Sequence, residues 1–166
     1  YLLDGGLRSA PKELVKQGST LIKPAKFSFQ NTPQPHLKAN KEDVLAALTD
    51  SNTVLLDCRT LDEFTGKTIK KNAFRAGHIP TSVHLNYTNS IAYHEAYQFK
   101  SDEELSSIFK TIPKDKKIIV YCQSGVRSAH TTFVLHKLLD YPNVANYDGS
   151  WIAWSYDKTL AVELGR

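Results

Sequence analysis

The sequence contains no methionine and only two cysteines, Cys58 and Cys122, among 166 residues. Two cysteines do not staple a chain of this length into a disulfide framework. Stability must come from an apolar core, and a reducing, cytoplasmic setting is the expectation. Long apolar runs are missing too. No stretch approaches the roughly 20 residues that span a bilayer, and the first residues lack the charged-then-apolar pattern of a secretion signal. No membrane partner is expected. The chain begins on Tyr1 without a methionine, and it reads as part of a longer protein. There is no low-complexity tract and no internal repeat. Histidines and cysteines at metal-ligand spacing are absent: His130 and His136 stand six apart on one predicted helix. Neither a metal nor a cofactor is expected. The positive excess is small, a formal +4, and its lysines fall in short runs such as Lys70-Lys71. Such a balance suits a small anionic substrate and carries little signal for nucleic acid.

What is present is an ordinary globular composition, 41% hydrophobic and 23% charged, in a length that suits one domain with an added arm. Short apolar runs at Thr53–Leu56, Ser82–Leu85, Ile118–Tyr121 and Val144–Tyr147 read as buried strands. Helical patterns lie between them. Lys38 to Leu48 carries Asn40 as N-cap, with Asp43 three residues on. Thr60 caps a short helix through Phe64. Ser101 caps Ser101–Thr111, with Glu104 at the third helical position. Ser150 to Trp154 reads as a short amphipathic helix. Phe27-Ser28-Phe29 suits a short strand, residues 65–76 an exposed loop, and residues 86–100 give no clear pattern. Near the start, Asp4-Gly5-Gly6 reads as a turn after a strand end, and Leu7, Leu14 and Val15 could share a helical face limited by Pro11. Strands alternating with helices predict an α/β domain with a mostly parallel sheet. In such sheets the functional crevice lies at the carboxyl ends of the strands.

Two sites fall at such ends, Cys122 and Asp57-Cys58-Arg59. After Cys122 come Gln123, Ser124, Gly125, Val126 and Arg127, and Ser128 opens a helical run with Val134, Leu135, Leu138 and Leu139 on one face. A loop this short, running into a helix start, turns several backbone N–H groups toward one point. Together with the helix dipole they favour an anion there. A cysteine at that point is expected to be largely thiolate. Residues 122–128 hold no His, Asp or Glu, so chemistry that needs a strong general acid is disfavoured. Nucleophilic sulfur chemistry on Cys122 is the first reading, and a buried structural thiol is the second. A cysteine phosphatase or arsenate reductase uses similar geometry, but with five residues between Cys and Arg. Here only four intervene, which suits a single sulfur better than a tetrahedral phosphate. Cys58 reads as a small core residue, with serial thiol–disulfide chemistry between it and Cys122 as the alternative.

The order Asp57-x-Arg59, Gly77-His78-Ile79-Pro80, Val120-Tyr121-Cys122-x-Ser124-Gly125-Val126 and Tyr147-Asp148-Gly149-Ser150-Trp151-x-x-Trp154 resembles a rhodanese domain. The resemblance covers about residues 27–165. It implies a five-stranded central sheet with helices on both faces, and sulfur transfer through a persulfide on Cys122. It implies a cradle of Gln123, Ser124, Gly125, Val126, Arg127 and Ser128, with Arg59 as a candidate substrate neighbour and Asp57, His78 and Trp151 as structural residues. The implied partners are a small anionic sulfur donor and a thiol or cyanide acceptor. A non-catalytic interaction module is the alternative that Cys122 itself argues against. The tail Asp157–Gly165 is similar to that of tandem thiosulfate and 3-mercaptopyruvate sulfurtransferases. Tyr1–Leu7 resembles the Tyr147 stretch in character. Residues 1–26 are therefore expected to be the end of a preceding rhodanese domain plus a linker, and residues 27–166 the catalytic domain with its tail. Ser124 and the lack of a loop lysine lean toward mercaptopyruvate. Glu63 leans against it, since it stands where that group places an arginine for the substrate carboxylate. Lys70 and Lys71 are possible compensating cations, and Arg127 is a possible anion ligand.

Overall fold

A computed structural model describes residues 3–19, 21–26, 28, 34–94 and 97–165. Its centre is a five-stranded, all-parallel sheet in the order β1-β7-β6-β2-β3. The strands are β1 (Lys38–Ala39), β2 (Thr53–Asp57), β3 (Val83–His84), β6 (Lys117–Tyr121) and β7 (Val144–Tyr147). A small antiparallel pair, β4 (Ile91–Ala92) and β5 (Gln98–Phe99), stands apart from it.

The central strands alternate their side chains between two cores, as a sheet covered on both faces must. Leu56, Ile118, Val120 and Val144 face one side, where α3 (Asp102–Phe109) and α4 (Val126–Phe133) pack. Leu105, Phe109, Val134 and Leu135 fill that layer. Leu55, Ile119, Tyr121 and Ala145 face the other side, under α1 (Lys41–Ala47) and α5 (Ser150–Tyr156), with Val44, Trp151 and Trp154. Fully burying one Leu- or Phe-sized side chain contributes about 1.5–3 kcal/mol, so these two layers hold the sheet.

The predicted caps are present. Asn40, Thr60 and Ser101 each accept from the third helical N–H, and Asp43, Glu63 and Glu104 return the bond to the cap N–H. The short helix after Thr60 is α2 (Leu61–Phe64). The first predicted helix is shorter than expected. Lys38 and Ala39 pair with Asn146 and Tyr147 instead, so the helix starts at Lys41, where the Asn40 capping box allows it to. The helix after the cysteine loop starts earlier than expected, at Val126, because Gly125 takes φ +88° and forms its cap. That helix runs on through a π-helical turn, Val134–Leu138.

Leu7, Leu14 and Val15 do not share a helix. Pro11 separates two 3₁₀ turns, Gly6–Arg8 and Lys12–Leu14, and Leu7 and Leu14 are exposed. The Asp4-Gly5 turn is present. The strand expected around Phe27 and Phe29 lies outside the described residues, as do Tyr1 and Leu2. Among the described residues no helix is long and apolar enough to cross a membrane.

Candidate active site

Cys122 follows β6 directly and is 1% exposed. Strand β2 lies beside β6 with Asp57 opposite Tyr121. The next residue pair is Cys58 and Cys122, and the Cys58 N–H still bonds to the Tyr121 carbonyl at 3.0 Å. The two cysteines therefore end neighbouring parallel strands. Both belong to the same core layer.

The loop's carbonyls are drawn away from the sulfur. The N-terminus of α5 takes two of them: the Trp151 N–H donates to Cys122 O at 2.9 Å, and the Ile152 N–H to Gln123 O at 3.0 Å. The Gly125 carbonyl accepts from the Ala129 N–H at 2.9 Å and the Ser128 hydroxyl at 2.9 Å. The Ser150 hydroxyl accepts from the Cys122 N–H at 3.1 Å and donates to Tyr147 O at 2.7 Å. With these three carbonyls occupied, the loop turns the Ser124 and Ser128 N–H groups toward the sulfur. Gly125 is required for this path. Its φ is +88°, and a β-carbon there would lie 2.5 Å from Asp148 Oδ1 and 2.8 Å from the Asp148 carbonyl.

This environment lowers the Cys122 pKa to about 4. The largest cause is a hydrogen bond from the Cys58 thiol. Burial opposes it, and the Ser128 hydroxyl with the Ser128 and Ser124 N–H groups assist it. The Cys58 proton has two acceptors in reach, the Tyr121 carbonyl at 3.1 Å and the Cys122 sulfur. The Ser128 proton likewise has Gly125 O at 2.9 Å and Cys122 Sγ at 3.4 Å. An ionised sulfur is the stronger acceptor in each case. Cys58 itself is pushed far above the ordinary thiol range, chiefly by burial. One thiolate and one thiol thus stand side by side. Alkylation of Cys122 by iodoacetamide is expected to keep nearly the same rate between about pH 8 and about pH 6. An ordinary thiol, with pKa about 8.5, would slow by almost two orders of magnitude over that span.

Arg127 does not point a free charge at the loop. Its guanidinium grips Glu63 with two bonds of 2.8 Å, and Glu63, on α2, is 2% exposed. Burial raises the Glu63 pKa and is outweighed by the Arg127 bonds and the Thr60 N–H, which hold the carboxyl at about 2. The two residues that the sequence sets at odds over a substrate carboxylate are each other's partners. No signal in the sequence links positions 63 and 127.

Arg59 is 1% exposed and is committed to Asp57. Its Nε lies 3.0 and 2.9 Å from the two carboxylate oxygens, and its Nη2 donates to Asp57 Oδ2 and, at 2.8 Å, to Gly77 O. The guanidinium lies 4.7 Å over the Trp151 ring. Asp57, Arg59 and Trp151 form one buried unit under the crevice. His78 is buried as well. Its Nδ1 lies 2.8 Å from Phe64 O, its ring stacks on Phe64 with centroids 3.8 Å apart, and its backbone pairs with Glu163 of the tail. Gln123 reaches Lys71 O at 3.4 Å, which brings the Lys70-Lys71 loop against the cysteine loop. The sequence reads Ser150 only as the start of a helix, and Cys58 as core with thiol–disulfide chemistry toward Cys122 as the alternative; both are neighbours of Cys122. Adjacent strands ending on two cysteines were the available signal for Cys58.

A rhodanese-like domain model matches residues 40–157. A protein of Mycobacterium leprae (strain TN), provisionally named a thiosulfate sulfurtransferase, is 36% identical over 99% of this chain and 61% of its own length. A similarly named protein of Saccharopolyspora erythraea is 38% identical over 90% of this chain and 55% of its own length. The chain thus spans little more than half the length of these curated relatives. Among solved structures, the anaerobic ergothioneine biosynthesis enzyme from Chlorobium limicola, in complex with trimethyl histidine, superposes with TM-score 0.86 at 21% identity. It covers 99% of this chain and 41% of that one, a likeness of fold. With its family match running from the Asn40 cap through α5, the chain belongs to the rhodanese-like domain family.

Proposed function

We propose that this chain is a sulfurtransferase that moves a sulfane sulfur from thiosulfate, through a Cys122 persulfide, to cyanide or a thiol. The observation that carries the reading is a thiolate held by the Cys58 thiol and by N–H and hydroxyl donors, in a loop with no acid or base of its own. The Cys122 thiolate attacks the outer sulfur of thiosulfate, the S–S bond breaks, and sulfite departs with the bonding pair. The product is Cys122–S–S⁻, whose terminal charge takes the place of the thiolate charge. The donors of the loop and the start of α4 hold it, as an oxyanion hole holds oxygen. Cyanide then takes the outer sulfur as thiocyanate and returns the thiolate. Sulfite is already a stable anion, so no proton needs to be delivered.

Thiosulfate is chosen over 3-mercaptopyruvate on two grounds. The relatives carry the name of thiosulfate enzymes. The arginines around the site are also committed elsewhere: Arg59 to Asp57, Arg127 to Glu63, and Arg75 to the carbonyls of Trp154, Ser155, Asp157 and Leu160. A substrate carboxylate would find no open guanidinium fork among them, and a lysine such as Lys71 offers only a point charge. The Arg127–Glu63 pair serves here to brace the loop against α2. We read residues 1–26 as an arm leading from a preceding rhodanese domain, and residues 27–166 as the catalytic domain. The exposure of Leu21 and Ile22 supports an arm, since neither packs on the domain.

Thiocyanate formation from cyanide, measured with each donor, tests the reading. Thiosulfate is expected to support turnover. Mercaptopyruvate is expected to be slower by about tenfold to a hundredfold, the worth of one missing charged hydrogen bond of about 1.5–3 kcal/mol. Release of phosphate from an aryl phosphate, dependent on Cys122 and without any thiocyanate, would overturn it in favour of a cysteine phosphatase.

A further inference from the structure

Cys58 has no part in the transfer just described beyond lending a hydrogen bond, yet its position is specific. It continues β2 where Cys122 continues β6, and the β2–β6 register is parallel and unbroken from Thr53↔Lys117 to Asp57↔Tyr121. Neighbouring strands lie about 4.8 Å apart. That spacing falls inside the Cα–Cα range of about 4.4–6.8 Å that a disulfide tolerates. Side chains alternate along a strand, so two residues in register point to the same face. Both cysteines do lie in one core layer, with Leu56 and Val120 behind them. Both are free thiols, 0% and 1% exposed. An external reductant or thiol reaches Cys58 poorly, while the Cys122 sulfur is its direct neighbour.

We propose that Cys58 is the resolving thiol of Cys122: it attacks the Cys122 sulfur once that atom carries a leaving group, and closes an intramolecular Cys58–Cys122 disulfide. Applied to the persulfide, and resting there on the function proposed above, the step releases hydrosulfide. Cys58–SH and Cys122–S–S⁻ give Cys58–S–S–Cys122 and HS⁻. The bond from Cys122 Sγ to the outer sulfur breaks, and the bond from Cys58 Sγ to Cys122 Sγ forms. The outer sulfur leaves with the electron pair and the Cys58 proton. The sulfane sulfur is reduced and the two cysteines are oxidised, so no outside oxidant enters. The chain would thereby discharge an unclaimed sulfur as sulfide and then wait for a reductant. Burial keeps Cys58 protonated, and exchange proceeds through the thiolate, so the internal step is slow beside transfer to an acceptor. It competes only when cyanide or thiol is scarce.

The same pair should resolve an oxidised Cys122. Hydrogen peroxide converts the thiolate to Cys122–SOH with loss of hydroxide. The Cys58 thiol then gives the disulfide and water. This second route does not depend on sulfur transfer.

The test follows intact mass after thiosulfate loading of the full chain, with sulfite removed and no acceptor added. The expected course is a gain of about 32 Da followed by decay to a species about 2 Da below the reduced chain, with one equivalent of sulfide released. Cys58→Ser, which keeps a hydroxyl donor to Cys122, is expected to load, and Cys58→Ala, which loses that donor, to load more slowly. Once loaded, both are expected to keep the gained sulfur, with sulfide release reduced at least about tenfold. A wild-type persulfide as long-lived as that of both variants would overturn the sulfide-releasing step. If neither wild type nor variants load, the transfer reading fails instead, and peroxide decides the pair. A Cys58–Cys122 linked peptide is expected from the wild type. Progression of Cys122 to sulfinic acid without that peptide would overturn the proposal.

Discussion

Cys122→Ser is expected to abolish both loading and turnover, leaving thiocyanate formation at the rate of the chain-free solution. The loss should be complete because nothing in the loop compensates. Residues 122–128 include no histidine or carboxylate, so no group can take the proton of a serine hydroxyl. The Cys58 thiol, with the Ser128 hydroxyl and the Ser128 and Ser124 N–H groups, lowers the pKa of a thiol at position 122 to about 4. A hydroxyl begins many orders of magnitude less acidic and would stay protonated at neutral pH. The fold should survive the change. Serine is smaller than cysteine by little and keeps a donor and an acceptor at the same place. Unchanged far-ultraviolet circular dichroism with no thiocyanate is therefore the expected pair of results. Residual turnover above about one part in a thousand of wild type would mean that another nucleophile carries the sulfur.

Arg59→Ala is expected to destabilise the chain by about 3–5 kcal/mol, the cost of leaving one member of a buried ion pair without its partner. Asp57 is 0% exposed and would retain a buried charge facing an emptied cavity. Gly77 O would lose its donor as well, and Trp151 the guanidinium above its ring. Domains of this size have about 5–15 kcal/mol in total, so much of the margin would go. Arg59→Lys keeps a charge but not the fork, and should fall between. Urea denaturation of the two variants gives the comparison. A loss below about 1 kcal/mol for Arg59→Ala would show that the pair is more open to water than its burial indicates, and would return Arg59 to the substrate side.

Much of this architecture was readable in the residues because the signals are local. The capping boxes at Asn40, Thr60 and Ser101 are four-residue patterns, and each fixes a helix start. The apolar runs around Leu55 and Ile119 are short, the second of them β-branched from Ile118 to Val120, and they are the central strands. The cysteine loop was readable for the same reason: a strand, Cys122, Gly125 and a helix lie within one stretch. What escaped was set by pairing between distant segments. Lys38 and Ala39 follow a helical pattern but are held as a strand by Asn146 and Tyr147. The Glu63–Arg127 grip and the Ser150 hydrogen bond join residues 64 and 28 positions apart, and no periodicity reports such contacts. Cys58 shows the limit most clearly. Its type and its strand end fit a core residue, and it is one. The β2–β6 register adds what the sequence leaves open, that the core it fills includes the Cys122 sulfur.

The central claim is that Cys122 carries the transferred sulfur, and one measurement meets it directly. The chain is incubated with thiosulfate labelled at the outer sulfur, freed of small molecules, alkylated at low temperature and digested. The account predicts one labelled sulfur on the peptide that contains Cys122, lost as labelled thiocyanate when cyanide is added before alkylation. Label on the Cys58 peptide instead, or sulfite release with no label retained on the chain, would contradict it.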